Sequence, residues 1–293
     1  LARGGARYHE GTGSGRPVRY PLRGWRGAAA AGFAGTVFAV AFVIPVVQLV
    51  LWAWDVVRED LGHRYWHLVA NTLSLGASAG VVTVAGALVL AFARRYSRHP
   101  VTRGAVPVAT LGYALPGSVL AVGVMLAFTG ADNLLLALGR SLGLEVAGPV
   151  LTGTLAALLL AYLVRFLAVA FGPLEAALGR VRPSLPEAAR NLGARPREVL
   201  TRVYLPLLRP GLLTALLLVM VDVMKEMPAT LLLRPFGWDT LAVRIYEMTS
   251  EGQWERAALP AVTLVLAGLV PVVLLVRSSA RRHRARGPAG GLP

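Results

Sequence analysis

The residues with the most chemical potential lie in one short stretch. Asp222, Lys225 and Glu226 interrupt the predominantly apolar segment 207–227. Each charge costs about 2.5–3.5 kcal/mol at mid-membrane, so we expect these side chains to lie shallow, to pair or to face a translocation path. On one helix Asp222 and Glu226 would share a face, and their oxygens suit a hard cation. The alternative is an interfacial ion cluster that anchors the helix end before Pro228.

The sequence lacks the residues that most other kinds of catalytic site require. The chain has no cysteine, which removes thiolate metal sites and cysteine nucleophiles. Its only lysine, Lys225, is followed by Glu226, so the G-K-[ST] of a P-loop is absent. His63 and His67 are four residues apart, but with no third ligand evident we interpret them as surface histidines rather than a metal site. We therefore expect no bound cofactor, no metal and no enzymatic activity in this chain.

The composition indicates that these residues lie on membrane-spanning helices. Of the 293 residues 55% are apolar and 15% are charged, and the mean hydropathy is +0.59; soluble domains carry about 25% charged residues. A spanning helix needs about 20 apolar residues. Six windows meet this requirement: 28–51, 68–92, 104–128, 149–171, 207–227 and 257–276. We predict an all-α, polytopic membrane protein with six transmembrane helices over 28–276, flanked by basic cytoplasmic segments at 1–27 and 277–293.

Particular positions in these spans have their own expected roles. Gly76 and Gly80 have the spacing of a close helix–helix contact. Arg165 is expected to extend toward the cytoplasm along its own helix. The stretch Leu134–Leu138 is too short to span and is expected to form an interfacial turn of helix.

The distribution of charge predicts the topology. The segments between spans alternate between net positive and net negative, within a total of +15. Because cytoplasmic loops are enriched in Lys and Arg, both termini are predicted to be cytoplasmic. The basic residues are divided among several segments, so we expect contacts with anionic membrane lipid and not with nucleic acid.

The loop between the fourth and fifth spans contains a predicted helical hairpin. Ser184 and Glu187 have capping-box spacing, so a helix should begin at Ser184. Gly193 can end that helix in a left-handed conformation. Pro196 can open a second helix, and Pro206 should stop it near the membrane. An amphipathic hairpin lying on the lipid headgroups fits the same pattern; a DNA-binding helix–turn–helix fits less well, because both ends are tethered at the bilayer.

The same loop, about 184–206, resembles the EAA loop of permease subunits of type I binding-protein-dependent ABC importers. The family pattern is E-A-A, three residues, G, nine residues, then I-x-L-P. This chain differs from it only by a valine in place of isoleucine. The matching residues are Glu187, Ala188, Ala189, Gly193, Val203, Leu205 and Pro206.

Other stretches extend the resemblance. Asn71-Thr72-Leu73 is similar to the start of the importer core, and 113–121 to its third helix. The segment 225–235, followed by 238–241, resembles the ferric-iron group, in which two six-helix halves are often fused in one chain. The basic residues 1–27 look like the linker between such halves.

The resemblance implies partners and a mechanism. The EAA loop would dock on ABC ATPase subunits, which use ATP and magnesium, and would couple their closure to movement of the spanning helices. A second permease half (fused, identical or separate) and an extracytoplasmic substrate-binding protein would complete a bacterial inner-membrane importer, with ferric iron as the first substrate. Thiamine, a polyamine or an oxyanion are alternatives within the family. An ion-gradient-driven secondary transporter is the alternative outside it.

Overall fold

The computed structural model describes residues 22–97, 99–143 and 148–285, and every regular element in those ranges is a helix. Contacts divide the chain into two compact units, residues 1–48 and residues 49–293, and the hydrophobic core lies in the second unit. Most of the predicted segment 1–27 and the end of the predicted tail 277–293 fall outside the described residues.

Ten helices are present in the described ranges. They are α1 (Trp25–Asp60, with a π-helical turn at Ala39–Val43), α2 (His63–Tyr96), α3 (Pro100–Ala109), α4 (Gly117–Ser141), α5 (Leu155–Gly179), α6 (Ser184–Asn191), α7 (Pro196–Met224), α8 (Pro228–Leu233), α9 (Leu241–Ser250) and α10 (Trp254–Ala285). Six of them, namely α1, α2, α4, α5, α7 and the part of α10 from Trp254 to Leu274, are long and apolar enough to cross a membrane. The predicted number of six spans and the all-α class are confirmed.

The predicted third span, 104–128, is wrong as a single helix. Helix α3 ends at Ala109, a 3-10 turn covers Leu111–Ala114, and α4 begins only at Gly117. The interruption precedes Pro116, whose ring disfavours helical backbone at the residue before it. Helix α4 then continues to Ser141, so the prediction that Leu134–Leu138 is an isolated interfacial turn is also wrong.

The fourth span begins later than its hydropathy suggested. The window started at 149, whereas α5 begins at Leu155, with the Thr154 side chain accepting a 3.2 Å hydrogen bond from the Ala157 amide. The preceding residues are held by Asp132, a buried side chain of α4. Its Oδ1 accepts from the amides of residues 150 and 151 at 2.9 and 2.8 Å, and its Oδ2 from the amide of residue 152 at 2.8 Å.

The core is formed where α2, α5 and α7 pack together. Gly76 and Gly80 face α7, and a Cβ built on Gly80 would lie 2.8 Å from Cδ1 of Leu216. On the other side of α7, a Cβ on Gly211 would lie 3.1 Å from the Pro173 carbonyl oxygen of α5. Small residues therefore let these helices approach closely, which confirms the predicted Gly76–Gly80 contact.

The Gly76–Gly80 stretch also spells G-x-S-x-G, a pattern found at hydrolase nucleophiles. Here the central residue, Ser78, lies inside α2 and donates to the carbonyl of Ser74 at 2.7 Å. A nucleophile elbow requires a sharp turn between a strand and a helix, so this serine lacks the context of a nucleophile.

Candidate functional site

The predicted hairpin is formed by α6 and the start of α7. Helix α6 begins at Ser184 as predicted, but its N-cap is Pro183 and no side chain caps it. The capping box expected from Ser184 and Glu187 is therefore not formed. In the second helix, which opens at Pro196 as predicted, Glu198 Oε2 instead accepts a 2.9 Å hydrogen bond from the Arg195 amide.

Gly193 makes the turn of the hairpin. Its φ of +86° lies in the left-handed region, where a side chain is strained. The Gly193 amide donates to the Arg190 carbonyl at 2.9 Å, and the Ala194 amide donates to the Ala189 carbonyl at 3.0 Å. This pair of bonds is the Schellman arrangement that satisfies the last carbonyls of a helix. The predicted end of the first hairpin helix is confirmed.

Pro206 does not stop the second helix, which contradicts the prediction. Helix α7 runs without interruption from Pro196 to Met224. The backbone from Val199 to Tyr204 is π-helical, and this wider turn accommodates the missing amide and the ring of the proline that follows. The second helix of the hairpin and the fifth span are thus one continuous helix.

The hairpin exposes a mixed apolar and charged surface. Glu187 and Ala188 are exposed, and Leu192 is 89% exposed. Ala189, Val203 and Leu205 are half-buried, and Pro206 is exposed. The two alanines of the EAA string thus differ: Ala188 contributes to the surface, whereas Ala189 packs on the core.

The other side of the hairpin is fastened to α2, which in turn holds the end of α5. The hydroxyls of Tyr96 and Tyr204 are hydrogen-bonded to each other, and the ring of Phe92 meets that of Tyr204 edge to face at 5.0 Å. Arg95 donates to the carbonyls of Leu178 and Val181, the second at 2.7 Å. A displacement of the hairpin must therefore move the adjoining ends of these helices with it.

The second candidate site is the polar cluster at the end of α7. This helix ends at Met224, so Asp222 and Glu226 do not share one helical face, and that prediction is wrong. Asp222 instead pairs with Lys225, Oδ1 to Nζ 2.8 Å, and the lysine side chain is 64% exposed. The Tyr113 hydroxyl approaches Asp222 Oδ2 at 3.5 Å.

Glu226 pairs with Arg165 of α5. Arg165 Nε lies 2.9 Å from Glu226 Oε2, and the two side chains are only 16% and 7% exposed. The expectation that Arg165 extends toward the cytoplasm is therefore wrong. Because α5 extends from Leu155 to Gly179, Arg165 lies in the middle of the helix and not near its inner end. Breaking such a buried pair typically costs about 3–5 kcal/mol.

The Arg165 guanidinium also contacts the non-helical residues between α3 and α4. Arg165 Nη1 donates to the Leu115 carbonyl at 3.1 Å. A Cβ on Gly117 would lie 2.8 Å from Glu226 Oε1 and 2.9 Å from Arg165 Nη2, so only glycine leaves room for the pair. Neither contact was predicted. The available signals were an arginine inside an apolar window and the breakers Pro116 and Gly117 within another.

At the end of α2 that lies away from the hairpin, a polar cleft of about 590 Å³ opens beside the loop 234–239. Asn71 Nδ2 donates to the carbonyls of Gly237 and Asp239, both at 3.1 Å. The buried Thr72 hydroxyl accepts from the Leu241 amide at 2.9 Å. The residues that resembled the start of the importer core thus fasten this loop to α2.

The structure gives no indication that His63 and His67 bind a metal ion. The rings of His63 and His67 are in edge-to-face contact at 4.5 Å. Among the residues that the structure describes, no group of three His, Cys, Asp or Glu side chains is placed to hold a metal ion.

The sequence matches, over residues 83–285, the family described as "Binding-protein-dependent transport system inner membrane component". Relatives of two kinds are 27% identical to this chain. An Fe(3+)-transport system permease protein of Haemophilus influenzae is 27% identical over 272 residues, which cover 92% of this chain and 51% of that protein. A putative 2-aminoethylphosphonate transport system permease protein of Salmonella choleraesuis is 27% identical over 271 residues, which cover 87% of this chain and 95% of that protein. The chain thus spans about half the length of the first relative.

A solved structure shares the fold. A chain of a bacterial ABC transporter involved in the import of the acidic polysaccharide alginate superposes with a TM-score of 0.63 at 16% identity. The match covers 89% of this chain and 96% of that chain. At this identity the likeness concerns the fold of six spans and not the substrate.

Proposed function

This chain belongs to the binding-protein-dependent transport system inner membrane component family, and on that premise we propose that it is the membrane permease subunit of an ABC importer. It would form the translocation path and couple ATP hydrolysis by a partner to uptake. The observation that carries this proposal is the hairpin, in which the EAA string lies on an exposed short helix, α6, and the second helix of the hairpin continues as the fifth span α7.

The exposed side of the hairpin suits a protein partner. Leu192 and Ala188 offer apolar contact, and Glu187 and Arg190 offer charged contact. The chain has no P-loop, so ATP and magnesium would be used by separate ABC ATPase subunits docked on this surface. A second permease half, an extracytoplasmic substrate-binding protein and the surrounding lipid would be the other partners.

The hairpin also orients the chain in the membrane. If it faces the ATPase in the cytoplasm, the cleft at the other end of α2 faces outward, where a binding protein delivers substrate. An even number of spans then leaves both termini cytoplasmic, as the charge distribution predicts.

Ferric iron is our first candidate substrate, because one of the similar relatives is an Fe(3+)-transport permease. An organophosphonate is the second candidate, because the phosphonate permease is equally similar and is matched over nearly its full length. Asp222, Lys225 and Glu226 remain candidates for the path, but both carboxylates are already paired with cations. Selection between substrates would therefore rest mainly with the binding protein.

Affinity purification of the protein in mild detergent tests the assignment. We expect an ATPase carrying G-x-x-x-x-G-K-[ST] to co-purify with the native chain. Glu187→Arg reverses an exposed charge on the hairpin, and Gly193→Asp strains its turn, so both variants should lose the ATPase.

Matched controls separate this docking from general damage. Glu251 is exposed and Gly252 has a φ of +77°, and both lie in the turn between α9 and α10. Glu251→Arg and Gly252→Asp should therefore retain the ATPase. If the native chain recovers no such ATPase, the importer assignment fails and an ion-gradient-driven transporter becomes the better account. Titrating the binding protein of the same system with ferric iron and with 2-aminoethylphosphonate then decides between the two substrates.

A further inference from the structure

Two interruptions of regular structure meet at Arg165. Its guanidinium bonds to the Leu115 carbonyl, in the gap before α4, and to the Glu226 carboxylate, in the turn after α7. The other oxygen of that carboxylate accepts from the Ala229 amide at 3.3 Å, at the start of α8. One side chain at the middle of α5 therefore links two segments outside the helices, and through Glu226 it is also connected to the start of α8.

The neighbouring contact strengthens this junction. Tyr162, one turn before Arg165 on α5, shares a 2.6 Å hydrogen bond with the Thr230 hydroxyl, and both residues are buried. Thr230 in turn donates to the Glu226 carbonyl at 2.5 Å. The turn after α7 is thus bound to α5 at two successive points.

The hairpin joins the same two helices at their other ends. Helix α5 ends at Gly179, five residues before α6, and α7 begins as the second helix of the hairpin. Arg165 lies ten residues from Leu155 and fourteen from Gly179, about 15 and 21 Å along the axis. Besides packing together in the core, helices α5 and α7 are therefore linked by the hairpin at one end and by the Arg165–Glu226 pair toward the other.

We propose that Arg165 and Glu226 are positioning residues of the transport cycle, which transmit movement of the hairpin to the chain break at Leu115–Gly117. Without the pair, the core packing and the Tyr162–Thr230 bond still hold α7 beside α5, but the guanidinium no longer links the turn after α7 to the Leu115 carbonyl. With the pair intact, α5, α7 and the start of α4 move as one body. This inference rests on the proposed function, since it requires an ATPase that moves the hairpin.

The absence of cysteine makes one introduced thiol a specific reporter of that movement. Val119, in the first turn of α4, is 59% exposed. We would purify the complex with its ATPase and label Val119→Cys with a water-soluble maleimide, with and without ATP and vanadate. In the native background we expect nucleotide trapping to change the labelling rate roughly tenfold, equivalent to about 1.4 kcal/mol.

Glu226→Gln keeps the shape of the side chain and removes its charge. In this background the nucleotide-dependent change should fall below twofold, while the ATPase still co-purifies and still hydrolyses ATP. Glu175→Gln is the matched control, because Glu175 also pairs with an arginine, Arg94, at 2.8 Å, but in an exposed pair. Exposed pairs contribute little, so this variant should respond like the native protein.

A second variant tests whether the effect of Glu226→Gln arises from the lost contact or from misfolding. Gly117→Ala places a methyl group against the pair without altering any charge, whereas a Cβ on Gly123 of the same helix meets nothing within 4 Å. We expect Gly117→Ala to reduce the nucleotide response and Gly123→Ala to preserve it. A full response in both Glu226→Gln and Gly117→Ala would overturn the inference. A native complex that has no ATPase at all would instead refute the proposed function.

Discussion

Replacing Asp132 with asparagine should release the segment that precedes α5. The native carboxylate accepts three backbone hydrogen bonds of 2.8–2.9 Å from residues 150–152 and is almost fully buried. Asparagine keeps one acceptor oxygen, so two bonds become neutral and the third amide faces an NH₂ group. Bonds to charged groups contribute about 1.5–3 kcal/mol and neutral ones about 0.5–1.5 kcal/mol, so the local loss is at least about 3 kcal/mol.

Hydrogen exchange in detergent measures this loss directly. A change of about 3 kcal/mol corresponds to roughly a hundredfold faster exchange of the amides of residues 150–152, with little change in the middle of α5. Asp55→Asn is the control, because Asp55 is exposed and makes no hydrogen bond or ion pair within the described ranges. Unchanged exchange at residues 150–152 in Asp132→Asn would refute the view that this carboxylate fixes the start of the fourth span.

Two further predictions concern packing between helices. Gly80→Leu should separate α2 from α7, since even a Cβ there lies 2.8 Å from Leu216 Cδ1. We expect the free energy of unfolding to fall by at least about 2 kcal/mol. The melting temperature should therefore be lower than that of Gly123→Leu, whose side chain enters open space. Thr72→Val should leave the Leu241 amide without its acceptor, at a cost of about 1–3 kcal/mol; faster exchange of that amide checks this, and unchanged exchange contradicts it.

The composition was sufficient to predict the class of fold, because a chain so rich in apolar residues must place them in lipid. The number of spans followed from window length alone. The glycine pair on α2 and the left-handed turn at Gly193 were also predictable, since both depend on a residue without a Cβ. These features are local, and a single sequence is enough to recognise them.

The errors arose where distant segments decide the local structure. Hydropathy cannot distinguish a continuous span from one interrupted at Pro116, nor place the start of α5, which depends on Asp132 from another helix. Pro206 was expected to end a helix, but the wider π-helical turn before it leaves room for the proline ring. The partner of Arg165 lies 61 residues away, so no local pattern could have indicated it.

Site-specific cross-linking from the hairpin tests the central claim most directly. In this cysteine-free chain, Ala188→Cys places one thiol on the exposed side of α6, and Leu142→Cys places one after α4, where the native side chain is 73% exposed. With a short thiol cross-linker, the Ala188→Cys variant should capture an ATPase with a Walker motif, and the Leu142→Cys variant should not. Equal capture from both positions, or capture from neither, would contradict the assignment of this hairpin as the coupling element.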